Sequence, residues 1–279
     1  MVATQFRRKE DYQASFAKVE KAEQVASAVR ETYEMLFITQ GTAEYWVEDQ
    51  YYKVREGDIL LVPAGAMVGA TLKARGCPFG RHSVWVTRRF LSFLKQQDTE
   101  IDFAFKQADQ NKSYLLRLPA EEAAALQEGF AAIVQEHDEA WLNAEISCAA
   151  LLAVLLVRIN RLIHEKGADA MLQGDANRLS EVLTYLHEKC TEPIAVEQVA
   201  ERFSYSASHL AHSFKKQMGT SLYHYVLLRR LRIGQAAMLN NTPVKEAYLR
   251  CGFGDYAGFY RAFIKEFGVS PQQYKKKNQ

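Results

Sequence analysis

Cysteine is scarce in this chain: its four copies, Cys77, Cys148, Cys190 and Cys251, stand far apart, with no CxxC pair and no zinc-ligand spacing. A disulfide-stapled or zinc-stapled domain is excluded, and free thiols in a reducing compartment are expected. Long apolar runs are missing too. The longest strongly apolar stretch, Cys148 to Val157, has ten residues, too few to cross a bilayer. The opening MVATQFRRKEDYQ lacks the apolar core of a secretory leader. A cytoplasmic protein without a membrane partner is therefore expected. No GxGxxG or GxxxxGK(S/T) phosphate loop occurs, so nucleotide binding finds no support. Cys148 and Cys190 lie in helical apolar surroundings, where an inert buried thiol is the common case, and no Ser-His-Asp or Cys-His set has local support. No catalytic residue is assigned.

What is present is enough apolar material for a folded protein. The 279 residues are 48% apolar and 24% charged, which rules out disorder for most of the chain and favours two domains. The net charge of +2 hides an uneven division. Residues 175 to 279 carry 15 basic and 9 acidic side chains, whereas 1 to 174 carry 20 and 24. Positive charge is concentrated in the C-terminal third, as expected if that part alone meets a polyanion.

From Glu31 to about Leu118 the sequence reads as strands, with runs such as Tyr33 to Thr39 and Ala43 to Glu48 broken at Gly41 and at Gly57-Asp58. Short strands punctuated by glycine imply a sandwich or small barrel. From Pro119 the pattern becomes helical, with Pro119 at a helix start and Glu121 and Glu122 in the first turn. A second helix is expected from about Trp141 to Lys166. Its apolar residues occupy more than one face, which suits either burial in its own domain or contact with another subunit. Residues 167 to 177, GADAMLQGDAN, read as a linker at the charge boundary.

The C-terminal part contains a repeat. Leu210, Phe214, Gly219, Ser221 and Tyr225 recur 49 residues later as Phe259, Phe263, Gly268, Ser270 and Tyr274. In each unit a short helix (Val196 to Arg202; Pro243 to about Arg250) precedes a turn and a longer helix (Ser206 to Met218; Tyr256 to Phe267). A further helix, about Ser221 to Asn240, carries Arg229, Arg230 and Arg232 and joins the units. With Leu210 and Phe214 turned inward, helical spacing turns Ser208, Ala211, His212 and Lys215 outward; with Phe259 and Phe263 inward, Ala257, Tyr260, Arg261 and Lys265 face out. Such faces suit a major groove, where Arg can bond a guanine edge and small groups can meet a thymine methyl.

The run from Val244 through Gly252-Phe253, Phe259, Arg261, Phe263, Gly268 and Pro271 to Tyr274 resembles the signature of AraC/XylS-type transcription regulators, and Val196 to Gly219 resembles that family's first helix-turn-helix. The resemblance covers about Ile194 to Tyr274. It implies that two helices enter successive major grooves of promoter DNA. Base-reading roles follow for Ser208, Ala211 and His212 in the first unit and for Tyr256, Ala257, Tyr260 and Arg261 in the second, with Lys215 also DNA-facing. Three departures stand out. Ala195 replaces a Ser or Thr cap, a loss of on the order of 1 kcal/mol. Tyr248 stands where the family usually has a small Ala, and Ala247 lies one place earlier, which implies either a one-residue shift in the turn or a repacked helix. Ala211 and His212 bond weakly, so the first unit is expected to read shape and phosphates more than base edges.

In the N-terminal part, Gly57-Asp58 through Pro63-Ala64-Gly65 to Val68 resembles the second motif of cupins. Enzymatic cupins place a metal-binding histidine shortly after the Pro-x-Gly. Here Val68 holds that place and the first histidine of the chain is His82, so a three-histidine metal site is not expected. A ligand pocket lined by Tyr33, Tyr45 or Trp85 is one reading of those aromatics; plain core or surface is the other. Lys275-Lys276-Lys277 reads as a solvated tail.

The expected fold is α+β: a β-rich cupin-like effector-sensing and dimerisation domain (1–166), a linker (167–177), and an all-α DNA-binding domain of two helix-turn-helix units (178–279). The resemblance implies a sequence-specific transcription regulator, an effector-responsive activator, with promoter DNA, RNA polymerase, a small-molecule effector and a second copy of itself as partners, and no cofactor or metal. The alternative is a non-regulatory small-molecule-binding or catalytic cupin whose helical end mediates protein contacts.

Overall fold

A computed structural model describes residues 10–73, 77–96, 100–139 and 142–278. The opening residues 1–9, read above as no secretory leader, lie outside the described residues. The chain divides into two compact units: residues up to Val25 with Arg30–Ala176, and Asn177–Gln279 with the short stretch Ala26–Val29.

The strands are β1 (Tyr12–Val19), β2 (Glu23–Val29, whose last four residues are the stretch grouped with the second unit), β3 (Tyr33–Gln40), β4 (Thr42–Val47), β5 (Gln50–Arg55), β6 (Ile59–Val62), β7 (Met67–Lys73) and β8 (Phe79–Val86), and the others belong to the first unit. Helices α1 (Arg88–Lys95) and α2 (Phe103–Asn111), the short β9 (Leu115–Leu116), helices α3 (Ala120–Glu139) and α4 (Ala144–Lys166), and β10 (Met171–Leu172) follow. Two sheets form, ordered β1-β8-β3-β6-β9-β10 and β2-β7-β4-β5. Alternation sorts the side chains. Glu34 pairs with Trp85, Leu36 with Ser83 and Ile38 with Arg81, so this row shares one face, and Arg81 donates to the Tyr45 hydroxyl of the other sheet. The opposite row points to the helices: Phe37 packs on Phe130 of α3 at 5.5 Å between ring centroids, and Tyr33 on Phe105 of α2 at 4.9 Å.

The Gly57-Asp58 turn has a clear physical basis. Gly57 takes a positive φ of 84°, and Asp58, buried, accepts from the Arg55 amide at 2.9 Å and from two nitrogens of Arg117 at 2.8 and 2.7 Å. A buried carboxylate needs such partners; stripping one from a buried pair typically costs about 3–5 kcal/mol.

The structure corrects several expectations. Among the described residues strands begin at Tyr12, not Glu31, and Arg88–Lys95 and Phe103–Asn111 are helices rather than strands. The first is started by Thr87, whose hydroxyl accepts from the Phe90 amide at 3.2 Å. Its apolar residues Phe90, Leu91, Phe93 and Leu94 have helical spacing that the strand-like aromatic content concealed. The second long helix begins at Ala144, and Trp141 lies outside the described residues. Taken whole, α4 is long and apolar enough to cross a bilayer by length and composition alone, which the ten-residue count missed. In the fold, Cys148, Leu152, Leu155, Leu156, Ile159 and Ile163 are buried in the first unit's core, while Ile146 (74% exposed), Ala150 and Val154 (51% exposed) form an open stripe. The supposed linker is mostly built in. Met171 and Leu172 pair with β9, the Asp175 amide donates to Tyr51 at 2.6 Å, and the Asp175 carboxylate accepts from the Lys53 amide at 2.8 Å.

The second unit is helical: α5 (Arg178–Lys189), α6 (Val196–Arg202), α7 (Ala207–Met218), α8 (Leu222–Leu239), α9 (Val244–Arg250), α10 (Tyr256–Phe267) and α11 (Pro271–Asn278). The repeated residues play the same parts twice. Phe214 meets Tyr225 edge-on at 5.4 Å, and Phe263 meets Tyr274 edge-on at 5.5 Å. Gly219 and Gly268 both end their helices at φ 69°, and Ser221 and Ser270 each accept an amide three residues on at 3.2 Å. The Tyr225 hydroxyl bonds His187 at 3.1 Å, and the Tyr274 hydroxyl accepts from Gln235 at 2.7 Å. Lys275 is not free in solvent: its ammonium donates to the Asn241 and Thr242 carbonyls at 3.1 and 3.0 Å, within a helix rather than a tail. The side chain of Lys277 lies outside the described residues.

Candidate nucleic-acid interface

Each longer helix of the repeat is started by a side chain of its own. Ser206 accepts from the His209 amide at 3.2 Å and Asp255 from the Gly258 amide at 2.7 Å. Beneath them Leu210, Phe214, Phe259 and Phe263 are fully buried. The opposite faces are open: Ser208, Ala211, His212 and Lys215 are exposed on α7, and Ala257, Arg261 and Lys265 on α10, with Tyr260 half-buried beside them. Tyr256 differs. Its ring is half-buried, 5.5 Å from Tyr248 and 5.9 Å from Tyr260, so it supports the face as much as it forms it.

The short helices show where the irregular residue sits. α6 and α9 have seven residues each and are related by an offset of 48, whereas α7 and α10 are related by 49. The extra residue falls in the turn. Ser204 and Gly252 are the left-handed residues, at φ 57° and 79°. Only Tyr205 separates Ser204 from its cap Ser206, while Phe253 and Gly254 separate Gly252 from Asp255. Packing changes as well. Ala200 is buried in the first helix-turn-helix; Tyr248, its counterpart at an offset of 48, lies against Tyr256 and Phe259, and Ala247 is the fully buried neighbour. Both alternatives left open by the sequence are therefore realised.

Not every cation of this unit faces outward. Arg230 donates to the Cys190 and Glu192 carbonyls at 2.6 and 2.8 Å, closing the end of α5, and Arg202 stacks over Tyr185 at 4.8 Å. Exposed Lys245 on α9, which sequence reasoning did not assign, was legible from its place two residues before the buried Ala247. Ala195 starts α6 without a side-chain bond, as its residue type requires. Burial raises the thiols of Cys190 and Cys251, the latter to about 11, which keeps both protonated and unreactive.

In the first unit the three aromatics proposed for a pocket do not converge. Tyr45 and Trp85 share the inter-sheet side with Arg81 and Glu34, and Arg30 lies 3.5 Å from Glu34. Tyr33 faces the other way, toward α2, with the Arg88 guanidinium 5.8 Å above its ring. Val68 is buried and opposite Val47.

A double-sheet unit that carries Glu34, Arg81 and the Tyr45 hydroxyl on its inter-sheet side, joined in one chain to paired helix-turn-helix units, defines a ligand-binding DNA regulator. Comparison with known proteins agrees: one family model, described as AraC-like ligand binding domain, matches residues 22–152, and another, described as Helix-turn-helix domain, matches 199–277. The multiple antibiotic resistance protein MarA of Escherichia coli is 32% identical over 105 residues, covering 37% of this chain and 83% of MarA. The transcriptional activator RhaR of Pectobacterium atrosepticum is 30% identical over 139 residues, 49% of this chain and 47% of RhaR. Among solved structures, ToxT from Vibrio cholerae matches at 14% identity and a TM-score of 0.40 over 96% of this chain and 98% of that one. The chain belongs to the AraC/XylS-type family of transcription regulators: it is a DNA-binding regulator with an N-terminal ligand-binding domain.

Proposed function

We propose that this regulator reads promoter DNA through Ser208, Ala211, His212 and Lys215 of α7 and through Tyr256, Ala257, Tyr260 and Arg261 of α10, the two helices occupying successive major grooves. The observation that carries the reading is the duplicated arrangement of buried aromatic, helix-ending glycine and capped helix beneath two exposed polar faces. Arg261 is the strongest base reader, since a guanidinium can bond a guanine edge with two hydrogen bonds. Lys215 and Lys245 supply phosphate contacts. The first unit binds a small-molecule effector between its sheets, where Tyr45, Trp85, Arg81 and Glu34 gather, and the protein works in the cytoplasm without catalysing a reaction. Two copies associate through the open Ile146, Ala150 and Val154 stripe of α4, a spacing of four residues that fits one helix against another. Effector binding shifts the population able to hold DNA, and the DNA-bound dimer recruits RNA polymerase as an activator.

The reading is tested by titrating full-length protein with duplex DNA at rising salt. Affinity should fall steeply, and Lys215→Ala should weaken binding on every sequence and lower the salt slope by about one. Salt-independent binding would contradict it.

A further inference from the structure

A hollow lies on the helix-facing side of the six-stranded sheet. It is an open depression of about 500 Å³ lined by Phe16, Thr39, Gln40, Glu56, His82 and Gln127. The volume is within the range of small-molecule sites.

Several independent features converge there. Phe16, His82 and Phe37 are directly opposite one another across β1, β8 and β3, and the Phe16 ring, 49% exposed, lies 5.1 Å from the imidazole. The β3–β8 register slips between Ile38 and Gln40, so Thr39 bulges out of the ladder; bulges often re-aim a side chain beside a site. Gly80 leaves the room this needs, because a Cβ there would stand 2.5 Å from the Thr39 hydroxyl. His82 is about nine-tenths buried, yet its Nδ1 has no hydrogen-bond partner among the described residues, and neither has the Thr39 Oγ1. Buried polar atoms rarely go unsatisfied; both atoms are closed to water in this structure, so a ligand in the hollow bonds them only if the lining side chains shift.

The chemistry of that ligand follows from the lining. Among its described lining residues Glu56 is the one carboxylate and there is no Lys or Arg; Arg55 and Arg117 line the adjoining hollow under α3, where Arg117 is held by Asp58. Burial lowers the His82 pKa, so the imidazole is neutral at pH 7 and offers Nδ1 as an acceptor when its proton sits on Nε2. A carboxylate, a hydroxyl oxygen and an imidazole nitrogen match the three N–H donors of a primary ammonium, and the Phe16 face suits a cation or its alkyl chain. We propose that this hollow is a binding site for a small primary amine, separate from the inter-sheet effector site.

The test uses full-length protein without DNA, so it stands apart from the DNA-reading account. n-Propylammonium chloride is titrated calorimetrically, with sodium chloride, tetramethylammonium chloride and glucose titrated under the same conditions. Saturable binding of n-propylammonium is expected, with tetramethylammonium, which has no N–H donor, and glucose much weaker. Glu56→Gln and Phe16→Leu, both at exposed positions, should each weaken the amine roughly tenfold while thermal unfolding stays unchanged. No binding, binding indifferent to both substitutions, or equal binding of tetramethylammonium or glucose would overturn the proposal.

Discussion

The two helix-turn-helix units share a scaffold but differ at the turn, and the difference separates what folding requires from what reading a sequence requires. Below the surface the units are copies: aromatic on tyrosine, glycine at the helix end, serine at the next start. At the turn they diverge. Ser204 accepts a left-handed backbone in open surroundings, an arrangement L-residues adopt at roughly 1–2 kcal/mol. Gly252 has no such freedom, since a Cβ there would lie 2.4 Å from the Thr191 carbonyl oxygen and 2.6 Å from its Cα. On the outer faces they diverge again, with Ala211 and His212 against Tyr260 and Arg261.

The sharpest way to break the comparison is Gly252→Ala. Positive φ and a backbone collision act together, and urea unfolding should report a loss of about 2–4 kcal/mol. Ser204→Gly at the matching turn position should instead leave stability unchanged or raise it by up to about 1 kcal/mol. Equal losses at both sites would mean that the turns are equivalent.

Next in size is the reading face. Under the proposed roles, Arg261→Ala should weaken binding to a preferred site by about 1–3 kcal/mol and relax one base preference, measured by competition among singly altered sites. His212→Ala should cost less and relax none. An unchanged preference after Arg261→Ala would reject direct reading by the second unit.

The smallest expected effect sharpens the helix starts. α7 and α10 are capped by Ser206 and Asp255, whereas α6 begins at Ala195 with no side-chain bond. Ala195→Ser should therefore stabilise the protein by about 0.5–1 kcal/mol in urea unfolding, with DNA preference unchanged. No gain would mean that the orphan amides of α6 already have other partners.

Much of this second unit was legible in the residues because its signals are local. Helix periodicity, the inward spacing of Leu210 with Phe214 and of Phe259 with Phe263, and the recurrence of Gly219 and Ser221 as Gly268 and Ser270 each require only a few neighbouring positions. The place of the extra residue was not legible: an offset of 48 before the turn and 49 after it fits several backbones until Ser204 and Gly252 are seen to share the left-handed position. The first unit concealed more. β1 and β2 escaped notice because strands with one exposed face mix polar and apolar residues without a long run, and α1 because Phe90 and Phe93 suit strands equally well. Nor could the side of the sheet on which Tyr33 falls be known before its register with Val86 was fixed, since a one-residue slip reverses every side chain. The hollow beside His82 depends on a bulge, which periodicity cannot announce.

Selection of bound duplexes from a random pool by the full-length protein tests the central claim most directly. Two paired readers predict an enriched site of two elements centred about 10–10.5 base pairs apart, with the element facing Arg261 better defined than the one facing Ala211 and His212. A pool that stays random, or one that yields a lone element unaffected by Arg261→Ala, would contradict it.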